Sequence, residues 1–404
     1  MKKLKIGFFI VMAACVVVGG LGTSASAVEP IRIGLVSPVS GNYADHGMLE
    51  RIGMEMALEE YGGEILGRPV TLITADSETN PDAAARRARR LIEVDGVKFM
   101  MGGVSSSVAT AVGAVAEEKG ALYFATNGNS DTVTGEHARH HVFRAGRSMA
   151  MLVRGGAKYV ADNLGKKWFF ITHDYSWGHS GTRWARNMLD VVGAKEVGEI
   201  KVPLGTRDFS SQLLQVRNSG ADVLVITCAG FDNVALMKQL AEYRIYDKMN
   251  VWYTLMEYVD MWPLDPKERQ PYCSVEVSWD ETPEMIAFSE KVHKKYPAAA
   301  SPVIDNGSYN GWLAMKLLLE GIKKAGTDDV EKVICAMEGL ELKDTKRKNP
   351  AKIRAFDHQV MSDVVLVKAN PKATDTRIWN VMDVIPAESV ARTKAENPVD
   401  VSCK

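Results

Sequence analysis

The chain has 404 residues, 46% hydrophobic and 25% charged, with 49 Lys and Arg against 50 Asp and Glu. This is ordinary globular composition, long enough for two domains with sizeable cores, and it excludes disordered and fibrous classes. The near-neutral charge balance gives no sign of a nucleic-acid partner.

The N-terminus differs from the rest. Lys2, Lys3 and Lys5 precede an apolar run from Ile6 to Val18, and Ala25-Ser26-Ala27 supplies small residues at signal-peptidase spacing. Residues 1–27 are therefore expected to be a removed secretory signal, with the mature chain in the periplasm. Gly19 and Gly20 interrupt the run short of the roughly 20 apolar residues a membrane anchor needs. Met12-Ala13-Ala14-Cys15 has the look of a lipoprotein site, but the apolar residues after Cys15 suit a signal core better. Loss of three Lys and no acid leaves 46 basic against 50 acidic residues, a formal charge of −4. Export takes Cys228, Cys273, Cys335 and Cys403 into an oxidising space. Three full pairings are open, and buried free thiols are equally compatible with a chain of this size.

In chain order, Ile31 to Val36 is expected as a buried strand, followed by a turn from Ser37 to Tyr43. A helix from about His46 to Tyr61 carries Leu49, Ile52 and Met56 at helical spacing and stops at Gly62-Gly63. A strand from Pro69 to Ala75 follows, and Asn80-Pro81-Asp82 opens a helix whose Arg86 to Arg90 run reads as a solvated face. The most informative stretch is Lys98 to Asp131. A strand, Phe99 to Met101, leads through Gly102-Gly103 and a serine run into a small-residue helix, and a second strand, Ala121 to Thr126, ends in Asn-Gly-Asn-Ser. Both polar turns lie at strand C-terminal ends, where open α/β sheets bind ligands. The hydroxyls of Ser105, Ser106 and Ser107 and the free amides of a helix start suit a carboxylate.

Beyond His141 to Arg144 a second alternating series begins. Helices are expected at Met149–Leu164, Trp177–Val192, Phe209–Ser219 and Phe231–Tyr243, and strands at Lys167–Thr172, Glu196–Val202, Asp222–Thr227, Val251–Thr254 and Cys273–Ser278. Three helices follow, Pro283–Lys295, Pro302–Ala325 and Asp328–Glu338, then extended segments around Val364–Val367 and Ile378–Val381. Two consecutive series imply an α/β protein of two doubly wound parallel-sheet lobes. A return of the late helices to the first lobe, and a last crossing near Arg354–His358, gives three linkers, hence a hinge. Residues 30–144 with 280–355 are assigned to one lobe, 145–279 with 356–392 to the other, and 393–404 to a C-terminal tail.

No catalytic or metal motif stands out. His137, His140 and His141 have no partner at metal-ligand spacing. His173-Asp174 with Ser176 or Ser180 lacks a nucleophile elbow, and Walker A and GxGxxG patterns are absent. No cofactor, metal or enzymatic activity is expected.

IRIGLVSPVSGNYADHG (Ile31 to Gly47), GGVSSS, ATNGNSD, THDYSWG (Thr172 to Gly178), ADVLVITCAGFDN (Ala221 to Asn233) and YTLMEYVD (Tyr253 to Asp260) occur in an order and spacing that resemble the branched-chain amino-acid (Leu/Ile/Val) binding family. These are type I periplasmic solute-binding proteins of ABC importers. The resemblance implies a monomeric Venus flytrap that closes on a small carboxylate-bearing ligand and docks on a membrane permease. It implies that Ser105 and Ser106, with Asn127, Gly128 and Asn129, hold the ligand carboxylate and that Glu257 takes its ammonium. Trp177 and Tyr175 would cover the ligand, His46 falls where classical members carry a tyrosine, and Gly230 completes the expected lining. The family's bridged cysteines near Glu78 and Ser105 are missing. Relatives of the same fold that take up aromatic acids, amides or urea match equally well, and a sensory protein presenting the closed form to a receptor is the alternative use.

Overall fold

A computed structural model describes residues 28–404; the expected signal peptide and Cys15 lie outside them. The first lobe is built on a six-stranded sheet. Its strands are β1 (Ile31–Ser37), β2 (Glu64–Ile65), β3 (Arg68–Asp76), β4 (Phe99–Gly102), β5 (Leu122–Ala125) and β6 (Val142–Arg144), in the order β2-β3-β1-β4-β5-β6. All pairs are parallel except the β2–β3 hairpin. The second sheet has β7 (Lys167–His173), β8 (Lys195–Val202), β9 (Val223–Thr227), β10 (Asn250–Tyr253) and β11 (Tyr272–Val275), all parallel.

Parallel strands covered by helices on both faces must be apolar throughout. The segments LYFA of β5 and VLVIT of β9 are buried at every position for this reason. Local signals set the helix ends. Asn80 caps the helix Pro81–Glu93 by accepting from Ala83 N–H (2.9 Å), as its Asn-Pro sequence predicts.

After β11 the chain returns to the first lobe. The helices Pro283–Lys295, Asn306–Ala325 and Val330–Met337 bury Phe288, Tyr309, Trp312 and Ile334 in one core with Ile31, Leu49 and Phe99. The helix expected from Pro302 starts at Asn306, because Asp305 is its N-cap: Asp305 Oδ1 accepts from Ser308 N–H (3.1 Å), and the Ser308 hydroxyl also donates to Asp305. A small three-stranded sheet, unanticipated from the sequence, follows on the same core: β12 (Glu341–Leu342), β13 (Ala351–Ile353) and β14 (Val360–Met361). The chain then passes through Ser362–Asp363 into β15 (Val364–Ala369) and β16 (Trp379–Ile385), which complete a seven-stranded sheet as antiparallel strands. The expected crossing segment, Arg354–His358, instead lies against β6, where Arg144 N–H donates to His358 O (3.1 Å).

Cys335 and Cys403 form a disulfide, whereas Cys228 and Cys273 are buried free thiols, so none of the full pairings is realised. His140 and His141 hydrogen-bond to Glu331 (3.0 and 2.9 Å), and His141 also to Glu117 (2.9 Å). Among the described residues there is no group of metal-ligating side chains arranged to hold an ion, and no helix long and apolar enough to cross a membrane.

Candidate functional site

The two sheets turn their strand C-terminal ends toward a shared cleft. It is lined by Tyr43, His46, Val104, Asn127 and Asn129 from the first lobe and by Tyr175, Trp177, Ala229, Leu255 and Glu257 from the second. The lobes touch across it. The hydroxyls of Tyr43 and Tyr175 share a hydrogen bond of 2.9 Å, and His46 Nε2 lies 3.4 Å from Asp260 Oδ1 with both side chains buried.

Backbone geometry at two turns shapes the cleft. Gly102 and Gly103 have φ of 111° and 92°. A Cβ at Gly102 would stand 2.5 Å from Val36 O, and one at Gly103 would stand 2.2 Å from the Tyr123 hydroxyl. Only glycine passes here, and the turn delivers Val104 to the cleft and Ser105 to the N-cap position of the helix Ser106–Lys119. Gly230 has φ of 73° and packs on the other lobe, where a Cβ would meet Asn42 O at 2.7 Å.

Of the residues expected at the site, His46, Asn127, Asn129, Tyr175, Trp177 and Glu257 line the cleft. Ser105, Ser106, Gly128 and Gly230 do not. Ser105 is buried at the helix start without capping through its side chain. Ser106 ties two turns together, its hydroxyl accepting from Ser130 N–H (3.0 Å). The Gly128 α-carbon faces the Ala109 methyl, and Gly230 N–H donates to Asp260 Oδ2 (2.7 Å). Tyr43 was missed, although its place in the turn after β1 is the kind of strand-end position that supplies such sites. Val104, Ala229 and Leu255 carry no chemical signal. Nor do His173 and Asp174 assemble a triad: His173 Nε2 faces Asp232 (3.4 Å), and Asp174 faces His179 (2.8 Å).

Behind the first-lobe wall lies a continuous buried polar network. Glu50 accepts from the Ser37 and Thr126 hydroxyls and from Asn127 Nδ2 (2.8 Å). Asn310 Nδ2 donates to Asn127 Oδ1 (2.7 Å) and to Glu276, and Asn129 Nδ2 donates to Glu276 and to Arg147 O (2.8 Å). Arg147 reaches Glu276 Oε2 (3.3 Å), Ser362 Oγ (3.1 Å) and Asp363 O (3.1 Å), so it holds parts of all three passages between the lobes. Tyr309 belongs to this hinge, its ring beneath the Arg147 and Arg347 guanidiniums at 5.7 and 6.0 Å. Burial pushes the Glu50 and Glu276 carboxyls up, while their hydrogen bonds, and Arg147 beside Glu276, pull them back.

The second-lobe wall is more acidic. Glu257 is 7% exposed, and its Oε2 has no hydrogen-bond partner. Burial, then Asp305, Glu276 and Asp260, raise its pKa well above the usual carboxylate range. Burial likewise raises Asp260, against the pull of His46. Burial disfavours charge on His173, but Cys228 and Asp232 outweigh it and push the pKa up to about 10.

Two doubly wound lobes joined by three passages, with a cleft walled by both, define a two-lobed binding protein of type I fold. The chain belongs to the periplasmic binding protein family, whose model matches residues 30–375. It is 29% identical over 340 residues to Leu/Ile/Val-binding protein homolog 7 of Brucella suis, covering 80% of this chain and 84% of that one. A periplasmic binding protein from Burkholderia mallei superposes with a TM-score of 0.86 at 26% identity, over 92% of this chain and 98% of that one. A branched-chain amino-acid ABC transporter ligand-binding protein from Burkholderia xenovorans gives 0.79 at 25% identity, over 91% and 98%. Membership of this family places the chain outside the cytoplasm.

Proposed function

We propose that this protein captures a small carboxylate-bearing solute, an amino acid of the branched-chain type, and delivers it to the membrane permease of an ABC importer. The observation that carries the reading is Glu257, a buried cleft carboxyl whose Oε2 lacks a partner. An α-ammonium satisfies it with a charge-assisted hydrogen bond. Across the cleft, the turn at Val104 and the start of the helix Ser106–Lys119 present first-turn amides with no partner within the helix, suited to the ligand carboxylate. Tyr43, Tyr175 and Trp177 give apolar walls for a side chain, with Tyr175 stacked on Trp177 at 6.1 Å. The same rings also suit an aromatic acid, with Glu257 protonated and donating to it.

A thermal-shift screen of the mature protein, stripped of carried-over ligand by unfolding and refolding, separates these readings. Aliphatic amino acids, aromatic acids, short amides and urea are the probes. A ligand at about 100 times its Kd adds roughly 2.7 kcal/mol to the native state. A shift with branched-chain amino acids is the expected result. A shift with aromatic acids or amides alone rejects the ammonium role of Glu257.

A further inference from the structure

Glu257 follows β10 in the second lobe, and Asp305 caps the helix Asn306–Ala325, whose body is packed in the first-lobe core. Asn306 binds the two segments side by side: its Nδ2 donates to Met256 O (3.0 Å), and its Oδ1 accepts from Glu276 N–H (3.0 Å) and Val277 N–H (3.2 Å). Both acids are buried, at 7% and 2% exposure, and Glu257 Oε2 and Asp305 Oδ2 both lack a hydrogen-bond partner. Among the described residues neither forms an ion pair. The surrounding charges do not neutralise them. Asp260 lies on the same short helix as Tyr258 and faces the ring of His46, of the helix Ala44–Glu60, at 3.4 Å. Glu276, on the linker after β11, is matched to Arg147 (3.3 Å). Once those two contacts are set aside, Glu257 and Asp305 remain as two buried carboxyls without an ion-pair partner among the described residues, the His46 ring pulling on Asp305 only from beyond ion-pair distance.

We propose that Glu257 and Asp305, carried by different lobes, form a carboxyl pair that opposes closure of the empty cleft at neutral pH, the opposition being relieved by a cationic group on the ligand or by a proton. Two like charges brought together out of water cannot both stay ionised cheaply, so the closed form takes up a proton that the open form does not need. An ammonium between the lobes replaces that proton. Asp305 is a positioning residue here, since it stands outside the cleft lining and acts through Glu257. The ammonium half of the mechanism rests on the reading of the ligand given above; the proton half does not.

The sign follows from the raised carboxyls of the closed form. Closure of the empty protein is favoured at acid pH and loses ground as pH rises through the ordinary carboxylate range toward the raised values. The test is small-angle scattering of the stripped mature protein without ligand, from about pH 5 to about pH 8, a window that brackets raised carboxyls. The wild type is expected to become more compact toward acid. Asp305→Asn keeps an N-cap acceptor for the helix, and Glu257→Gln removes a group that has no ion pair. Each is expected to raise the closed-to-open ratio at neutral pH about tenfold or more, the effect of one pKa unit of coupling, and to flatten the pH dependence.

A wild-type radius of gyration that does not move with pH overturns the proposal, whatever the variants do. So does an Asp305→Asn or Glu257→Gln protein that is folded by its melting curve and tracks the wild type. Acid-driven closure in a protein that binds no amino acid in the thermal screen upholds the carboxyl pair and refutes the ligand reading alone.

Discussion

The two walls of the cleft are built on opposite plans. On the first lobe Glu50, Asn127, Asn129, Asn310, Glu276 and Arg147 bond to one another, and none of their side-chain atoms is left both buried and unpaired. On the second lobe Glu257 Oε2, Asp232 Oδ1, both nitrogens of His173 and the Tyr253 hydroxyl are buried without hydrogen-bond partners. First-lobe residues outside that network do carry such atoms, among them Asn42 and His46 at the turn and helix start that meet the second lobe, and Asp305 at the start of the helix Asn306–Ala325. A saturated network of this kind is rigid and specifies one arrangement, whereas each orphaned polar group costs roughly 1–3 kcal/mol until something satisfies it. The first-wall network is therefore complete on folding, whereas the second wall turns one unpartnered carboxyl oxygen, Glu257 Oε2, toward the cleft.

The largest effect expected from this difference lies in the first wall. Arg147→Ala removes the one cation paired with buried Glu276 among the described residues and leaves Ser362 and Asp363 at the hinge to Arg347 alone. Leaving a buried charge unpaired costs about 3–5 kcal/mol. The check is the urea midpoint at unchanged m-value. Glu257→Gln in the empty protein is expected to shift the same midpoint by less than about 1 kcal/mol, since no ion pair is lost. Equal losses for the two variants would mean that the walls do not differ.

The next effect lies in the second wall and appears only with ligand. If Glu257 receives an ammonium, Glu257→Gln forfeits a charged hydrogen bond of about 1.5–3 kcal/mol, some ten- to hundred-fold in Kd. Titration calorimetry with L-leucine and with an aromatic acid measures it. The loss is expected with leucine and not with the aromatic acid.

The same division governs what could be read from the sequence. Strands buried on both faces advertise themselves as apolar runs, and Asn80-Pro81 marks a helix start whatever surrounds it. The turns that reach the cleft at Val104 and at Asn127 and Asn129 were legible because strand ends with Asn, Gly and Ser announce themselves locally. The small strands were not: β2 and β14 are two residues long and carry no periodicity. The first-wall network was invisible for a different reason. Glu50 lies 77 residues from Asn127, and Arg147 lies 129 from Glu276, so nothing local marks either as a hinge or site residue. Ser106 and Gly128 stand in the right turns, but their neighbours fix which way they face. Disulfide choice has the same character, since Cys335 and Cys403 meet across 68 residues.

The smallest effect lies where the walls touch. Tyr43 and Tyr175 share a hydroxyl hydrogen bond across the cleft, and both rings line it. Burial raises both phenols, with the neighbouring acids Asp260 and Asp232 adding to it, so the pair stays neutral at any physiological pH and the contact is insensitive to pH. Tyr43→Phe keeps the ring and deletes the bond. A neutral hydrogen bond is worth about 1 kcal/mol net, so the variant is expected to shift the closed-to-open ratio roughly fivefold toward open, with its pH dependence unchanged. Scattering at two pH values is enough to see this. A Tyr43→Phe protein whose closure lost its pH dependence would place the titrating contact at the tyrosines and not at the carboxyl wall. A parallel displacement at both pH values would separate the passive contact from the charged one.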